Sequence, residues 1–286
     1  MPATTQADPH AGHNMPAAEA IADPHGGHDM AAAAVPAPPS APPAAEALSG
    51  PAHAADLVFA PAEMAQARKQ LREEHGDIET SKVLIDQAEL KIRNGRDGYA
   101  WDAQAWHGGD IDKLWIKTEG EGAFREEVEK AEVQALWSHA IDPWFDLQFG
   151  VRHDIRPDPQ RTYLVAGAQG LAPYWFEVDG AVFLSNKGDV SARLEGEYDL
   201  RITQQLILQP RAEVELALQD VPEIGIGSGL SSAEIGARLR YEIRPQFAPY
   251  LGVEYERSFG DTARFSRARG EGIGGWSFLL GVRTWF

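Results

Sequence analysis

Residues 274–286 read GGWSFLLGVRTWF and alternate between large apolar and small or polar side chains. One face carries Trp276, Phe278, Leu280, Val282, Thr284 and Phe286, and the other carries Ser277, Gly281 and Arg283. Successive side chains of a β-strand point to opposite faces. The segment therefore predicts a strand with one face toward lipid and the other toward a polar lumen.

The same period-2 pattern recurs upstream from about residue 82. It predicts an all-β fold, a transmembrane antiparallel up-and-down β-barrel of about twelve strands, with ten as the fallback because the first two segments are the least regular. A soluble antiparallel sandwich also alternates, but charges on nearly every polar face and segments of membrane-strand length favour the barrel. The predicted strands are 82–93, 99–107, 111–121, 128–140, 144–155, 161–171, 174–184, 189–201, 204–218, 231–243, 246–258 and 274–286.

Loop lengths and aromatic positions agree with this topology. With both ends of the barrel in the periplasm, the periplasmic turns are short and the long connections 153–161, 218–234 and 258–275 lie outside. Aromatic residues cluster near strand ends, as in DPWF (142–145) and PYWF (173–176), and this placement predicts girdles at the two membrane interfaces.

Composition narrows the function. The 286 residues carry a net charge of −17, which argues against a nucleic-acid partner and suits cations. Cysteine is absent, so any soft metal must be bound through His and Met. The N-terminus MPATTQADPH lacks the basic and apolar regions of a leader peptide. We therefore expect the sequence to be a mature form with an added initiator Met.

Three zones are expected along the chain. Residues 1–60 contain no Lys or Arg and include PAPPSAPPAAEA (36–47), which predicts a disordered metal-binding tail with a Pro-rich spacer. Residues 61–80 predict a short helix and linker, beginning at Pro61 and stopped by Gly76. Residues 81–286 form the barrel.

The tail contains a near-repeat, DPHAGHNM (8–15) and DPHGGHDM (23–30). Imidazole suits copper and zinc, and a thioether favours Cu(I). The predicted metal ligands are His10, His13, Met15, His25, His28 and Met30. A single His pair in a low-complexity tail would carry little weight, but the duplicated block favours a metal-binding function. His53, Met64 and His75 could extend a relay toward the barrel, although Met64 is equally explained as a helix contact.

The predicted lumen is rich in ionisable groups, and two interpretations remain open. The charges either satisfy one another in a filled interior or form a narrow polar cation path. His107, His139 and His153, near strand ends, are better explained as interfacial residues than as ligands. The inward-pointing groups are Glu89, Lys91, Lys113, Lys117, Glu119, Glu121, Lys130, Glu132, Glu177, Asp179, Arg193, Glu195, Glu197, Glu213, Glu215 and Arg238.

Catalysis is not expected. Ser231, Ser232 and His153 lie near the outer end of the predicted barrel, as in outer-membrane lipases and proteases, but no nucleophile motif such as GxSxG surrounds the serines.

Three stretches resemble the copper resistance protein B family: 101–122 (WDAQAWHGGDIDKLWIKTEGEG), 240–260 (RYEIRPQFAPYLGVEYERSFG) and 278–286 (FLLGVRTWF). The resemblance covers about residues 80–286. It implies a protein of the Gram-negative outer membrane that acts in copper tolerance beside a periplasmic multicopper oxidase. The strand ending on Phe286 also resembles the assembly signal of outer-membrane barrels.

We therefore expect a monomeric, non-enzymatic protein surrounded by outer-membrane lipids. Its tail would capture copper ions, Cu(I) or Cu(II), in the periplasm, and its barrel would anchor or conduct them. The alternative is a passive structural barrel or general polar pore without a specific metal role.

Overall fold

The structure is a computed structural model that describes residue 50 and residues 53–76 and 78–286. A short 3-10 helix, Ala54–Leu57, precedes helix α1, Pro61–His75, which stops at Gly76 as its sequence predicts. Intrahelical pairs with i,i+4 spacing, Lys69–Glu73 and Gln70–Glu74, support α1. Among the described residues, no helix is long and apolar enough to cross a membrane.

Twelve antiparallel strands follow α1, as predicted. They are β1 (Thr80–Arg93), β2 (Gly98–Gly108), β3 (Asp112–Ala123), β4 (Val128–Ala140), β5 (Phe145–Arg156), β6 (Arg161–Ala172), β7 (Phe176–Ser185), β8 (Val190–Tyr198, resumed at Leu200–Arg201), β9 (Leu206–Ala217), β10 (Gly229–Tyr241), β11 (Phe247–Ser258) and β12 (Gly274–Trp285). Each strand pairs with its neighbours in sequence, and β12 pairs with β1 from Leu84↔Trp285 to Arg93↔Ser277. The sheet is therefore a closed barrel without free edges.

The barrel has an inverted distribution of polarity. On β12, Trp276 and Phe278 are each 63% exposed, whereas Leu279 is 2% exposed and faces the lumen. The exposed outer faces carry large apolar side chains from nearly every strand, while Glu89, Lys91, Glu132 and Arg238 are buried inside. An apolar exterior around a charged interior is the arrangement that a membrane barrel requires.

Aromatic pairs lie at both ends of the barrel. Tyr99 stacks on Trp101 at the loop end, where Tyr255 also contacts Trp276. At the turn end, where β1 begins and β12 ends, Trp144 meets Trp175 edge-on, and Phe176 packs against Tyr198. Rings in these two zones are placed as membrane-interface girdles are.

The connections depart from the expectation in two places. The loop after β11 contains a helix, α2 (Gly260–Arg269), and the backbone N–H of Gly227, in the loop after β9, donates to Thr262 Oγ1 on that helix at 2.8 Å. The connection between β5 and β6 is residues 157–160, shorter than the outer loop 153–161 expected from the sequence and within one residue of the gap between the predicted strands 144–155 and 161–171. The five turns at the other end are short, as expected.

Candidate cation site in the barrel lumen

Strand alternation brings the predicted ionisable side chains together inside the barrel. The pairing register of neighbouring strands confirms this arrangement: Glu119 lies opposite Glu132, Glu121 opposite Lys130, and Glu195 opposite Glu213. Ions in a narrow lumen are partly desolvated, so each needs a compensating partner. The arrangement of those partners decides which parts of the lumen are closed.

Arg193 on β8 is the centre of one charge cluster. Its guanidinium reaches across the lumen to Glu119 on β3 at 2.8 Å and Glu132 on β4 at 3.0 Å, and it also contacts Glu215 on β9 at 3.2 Å. Arg152 adds a second contact to Glu132 at 2.7 Å and stacks over the ring of Phe183. These contacts join opposite walls, so they narrow the lumen at this level.

A second cluster lies beside the β1–β12 closure. Arg238 Nη2 lies 3.2 Å from Glu89 and 3.1 Å from Glu254, and Lys91 Nζ contacts Glu254 at 2.8 Å and Glu121 at 3.2 Å. Almost all of these side chains are buried. This part of the interior is filled by mutually satisfied charges, which supports the filled-interior interpretation for this region.

A row of acidic side chains runs along the inner wall. It follows directly opposed positions on seven consecutive strands, and only the second position is an amide. In order, the row is Asp146, Gln169, Asp179, Glu195, Glu213, Glu234 and Glu256. Asp146 lies near the turn end of β5 and Glu256 near the loop end of β11, so the row climbs the barrel from one mouth toward the other.

Cations partly compensate this row. Lys117 Nζ contacts Asp179 at 2.7 Å, and Arg211 contacts Glu195 at 2.5 Å and Glu234 at 2.9 Å. Like charges that face each other directly destabilise a sheet. The row is therefore held together by a few basic side chains that each serve several carboxylates.

A cavity of about 420 Å³ occupies the turn-end half of the lumen. Nine acidic side chains line it against three basic ones, Lys117, Arg193 and Arg283. We call this cavity the acidic chamber; its acidic lining is Asp86, Asp102, Glu119, Glu132, Asp146, Glu177, Asp179, Glu195 and Glu197. Carboxylates in this excess attract cations into the mouth of the barrel.

Three chamber carboxylates, Asp102, Glu177 and Glu197, have no ion pair within the described residues, and Glu197 accepts a hydrogen bond from Gln209 at 2.8 Å. Within the described residues, neither Asp102 on β2 nor Glu177 on β7 makes an ion pair or a hydrogen bond through its side chain. Asp102 lies opposite Glu119, and Glu177 lies opposite Glu197. Gln148, on the same wall, also has an unsatisfied group: its side chain is only 3% exposed, and its amide nitrogen has no hydrogen-bond partner in the described chain.

The six predicted metal ligands, His10, His13, Met15, His25, His28 and Met30, lie outside the described residues. Of the proposed relay, His53 precedes the 3-10 helix, Met64 lies on α1 and His75 is its last residue. Over residues 53–76 and 78–286, no group of three or more His, Asp or Glu side chains is arranged to hold a metal ion.

The three barrel histidines face outward. His107 and His139 lie at the turn end with 63% and 40% of their side chains exposed, and His139 Nδ1 lies 2.9 Å from Asp112. His153 alternates with the lumen residues Arg152 and Asp154, and its ring contacts Thr162 Oγ1 at 2.9 Å. All three are therefore interfacial polar residues, as the sequence suggested.

The serines considered for catalysis have other partners. Ser231 Oγ donates to the Gly227 carbonyl at 3.0 Å, and Ser232 Oγ donates to Glu215 at 2.9 Å. The ring of His153 is bonded to Thr162, as described above. None of these contacts activates a serine.

The predicted set of inward-pointing groups lacks three acidic residues of the chamber, Asp86, Asp102 and Asp146. On β1, a β-bulge lies between Ile85 and Gln87. Leu84 faces the lumen before the bulge, and Gln87 and Glu89 face it after the bulge. Asp86 lies at this bulge and pairs with Arg283 at 2.5 Å. The period-2 pattern could have identified Asp102, since it is two residues from Gln104 and Ala100 on the same face of β2.

A closed barrel with an apolar outer face, two aromatic zones and a charged interior defines an outer-membrane β-barrel protein. The family model described as copper resistance protein B precursor (CopB) matches residues 79–286, and the chain belongs to this family. It is therefore an outer-membrane protein with a role in copper resistance.

Two relatives agree with this assignment. Copper resistance protein B of Escherichia coli is 46% identical over 204 residues, which are 71% of this chain and 69% of that protein. A copper resistance protein B homolog of Pseudomonas syringae pv. tomato is 42% identical over 212 residues, which are 74% of this chain and 72% of that protein. Among solved structures, the NanC porin matches with a TM-score of 0.49 at 12% identity, over 71% of this chain and 98% of the porin.

Proposed function

We propose that this protein captures copper ions in the periplasm and delivers them to the acidic mouth of its barrel. His10, His13, Met15, His25, His28 and Met30 are the capturing ligands, and they accept Cu(I) or Cu(II). The barrel fixes this tail at the membrane and offers a narrow cation path. The protein acts as a monomer without catalysing a reaction, beside a periplasmic multicopper oxidase that exchanges copper with the tail.

The observation that carries this proposal is the position of the acidic chamber. β1 begins at the turn end of the barrel, where the chamber lies, so the preceding residues are joined to the barrel at that end. In an outer-membrane barrel the short turns face the periplasm. A cation that enters the lumen from the periplasm therefore meets nine carboxylates at this mouth.

The tail is tested by titrating the purified full-length protein with Cu(I) and with Cu(II). Alanine at the six capturing positions should abolish the tightest class of sites, because both imidazoles and thioethers are lost together. The matched control replaces His53, Met64 and His75 with alanine, and it should keep those sites. Unchanged affinity in the six-residue variant would remove the tail from the function.

Conductance measurements in planar bilayers distinguish the proposed function from the alternative, a general polar pore. The contacts of Arg193 across the lumen favour a small conductance over a wide one, and the excess of carboxylates in the acidic chamber favours cations. A large conductance that is indifferent to ion charge would support the general pore instead.

A further inference from the structure

The ligands available inside the barrel differ in kind from those of the tail. The sequence has no cysteine, and its four methionines, at positions 1, 15, 30 and 64, all precede β1. The histidines of the barrel all face outward, as described above. The inner wall therefore offers neither sulfur nor imidazole to an ion.

Oxygen groups make up the acceptors of the acidic chamber. Carboxylate, carbonyl and water ligands suit hard divalent ions, whereas Cu(I) selects soft thioether and thiolate ligands. The ligand set that captures Cu(I) in the tail is thus not continued into the lumen. A Cu(I) ion that enters the chamber would exchange its ligands for much poorer ones.

The chamber carries negative charge that its own cations leave uncompensated. Asp102 and Glu177 have no ion pair within the described chain, and each faces a further carboxylate, Glu119 or Glu197. Opposed like charges destabilise a sheet, so a cation between them stabilises the barrel. Gln148 adds an independent observation: its amide is buried against the chamber and its nitrogen, a hydrogen-bond donor, has no partner in the described residues, so it calls for an acceptor such as water inside the chamber.

The spacing of these groups indicates how an ion is held. No trio of described Asp, Glu or His side chains is placed to clasp one ion. The chamber of about 420 Å³ accommodates many water molecules, since one needs only about 10–15 Å³ on the same measure. Water bound to a divalent ion donates hydrogen bonds, and the carboxylates and the Gln148 amide oxygen can accept them.

We propose that the acidic chamber binds hydrated divalent cations, Cu(II) among them, through their coordinated water, and that it excludes Cu(I). This inference deepens the proposed function by assigning the ion that the barrel handles. Weak binding through water allows an ion to leave as readily as it enters, which conduction requires.

The test uses the full-length protein with alanine at the six tail ligands and at His53, Met64 and His75, and with glutamine at the outward-facing His107, His139 and His153, so that no imidazole remains to compete with the lumen. Mn(II) serves as a hard divalent probe, Cu(II) as the copper ion and Ag(I) as a redox-stable stand-in for Cu(I). We expect Mn(II) and Cu(II) to bind weakly and Ag(I) not to bind. The Cu(II) electron paramagnetic resonance spectrum should show oxygen coordination without nitrogen hyperfine lines.

Charge neutralisation locates the site. Asp102→Asn combined with Glu177→Gln should raise the dissociation constant for Mn(II) by about tenfold, because two facing charges are lost. The control pair, Asp110→Asn with Glu79→Gln, removes two exposed charges at the same end outside the chamber and should change it less than about twofold. A single Glu177→Gln variant tests the site if the double variant fails to fold.

Three results would overturn the proposal. They are Ag(I) binding to the tail-substituted protein that Asp102→Asn with Glu177→Gln abolishes, nitrogen lines in its Cu(II) spectrum, and equal Mn(II) affinity in the chamber and control variants. Failure of the tail would appear separately, as Cu(I) affinity that survives both the six alanines and the two chamber substitutions.

Discussion

Arg238 on β10 and Glu89 on β1 meet inside the barrel although 149 residues separate them in sequence. Arg238 Nη2 donates to Glu89 at 3.2 Å, and the two side chains are 3% and 0% exposed. The contact crosses the β12–β1 closure, so it forms only when the last strand has joined the first. This ion pair in the lumen therefore depends on closure of the barrel.

Arg238→Met should therefore destabilise the barrel strongly. The substitution leaves Glu89 buried without its cation, and breaking one partner of a buried pair costs about 3–5 kcal/mol. The midpoint of urea unfolding in micelles, followed by the gel shift of the folded barrel, measures the effect. Arg264→Met on α2 is the control, because its pair with Asp261 is exposed and contributes at most about 1 kcal/mol.

Glu89→Gln added to Arg238→Met should recover part of the loss, since it removes the orphaned charge. Tyr250 still donates its hydroxyl to position 89. Equal stability of the single and double variants would contradict the view that this pair, and not side-chain volume, controls stability here.

Gly281→Ala should destabilise the barrel by crowding Tyr250. Gly281 on β12 lies opposite Tyr250 on β11, and a Cβ atom at Gly281 would overlap the phenol ring. The ring is 3% exposed and has no room to withdraw, so we expect a loss of about 1–3 kcal/mol. Urea unfolding of the purified barrel measures it.

The control for this prediction is Gly275→Ala on the same strand, where a Cβ would meet no atom within 4 Å. Its effect should stay below about 0.5 kcal/mol. Tyr250→Ala should absorb much of the Gly281→Ala penalty, because the clash is removed. Strictly additive effects of the two substitutions would refute the clash.

Arg193→Gln should increase cation conductance. Arg193 spans the lumen from β8 to β3 and β4, and its loss removes both this bridge and one positive charge. Conductance and reversal potential under a KCl gradient in planar bilayers measure the change. Arg257→Gln is the control, because Arg257 is exposed beside Phe259 at the loop end and alternates with the lumen residue Glu256. An unchanged reversal potential in Arg193→Gln would contradict the role of Arg193 as a barrier.

The strands could be predicted because each one alternates between lipid and lumen, and this alternation is a local property of sequence. Every predicted strand from 82–93 to 274–286 corresponds to one in the structure, usually within two residues at each end. The bulge at Ile85–Gln87 escaped prediction, since the bulged residue interrupts the alternation without a local signal. Helix α2 escaped because loop residues carry no membrane pattern.

The lumen could be predicted only as a set of inward-facing charges. Which charges pair depends on register and on contacts across the barrel, such as Arg193 with Glu119 over 74 residues. The acidic row also requires register, because its members become neighbours only when seven strands are aligned. The unpaired state of Asp102 follows from those distant pairings, so the sequence pattern could not show it.

Phe286→Ala should reduce barrel assembly in cells while leaving the purified barrel nearly as stable. Its backbone is bonded to Val83 in both directions, with N–H to carbonyl distances of 2.9 and 3.1 Å, and these bonds survive the substitution. The Phe286 side chain is 74% exposed, so its removal should change the free energy of unfolding by about 0.5 kcal/mol or less. We expect the amount of heat-modifiable protein in outer-membrane fractions to fall several-fold, because the strand ending on Phe286 resembles the assembly signal of outer-membrane barrels. Leu280→Ala, on the same face of β12, is the control and should assemble normally; equal assembly of both variants would show that Phe286 serves only as a lipid-facing residue.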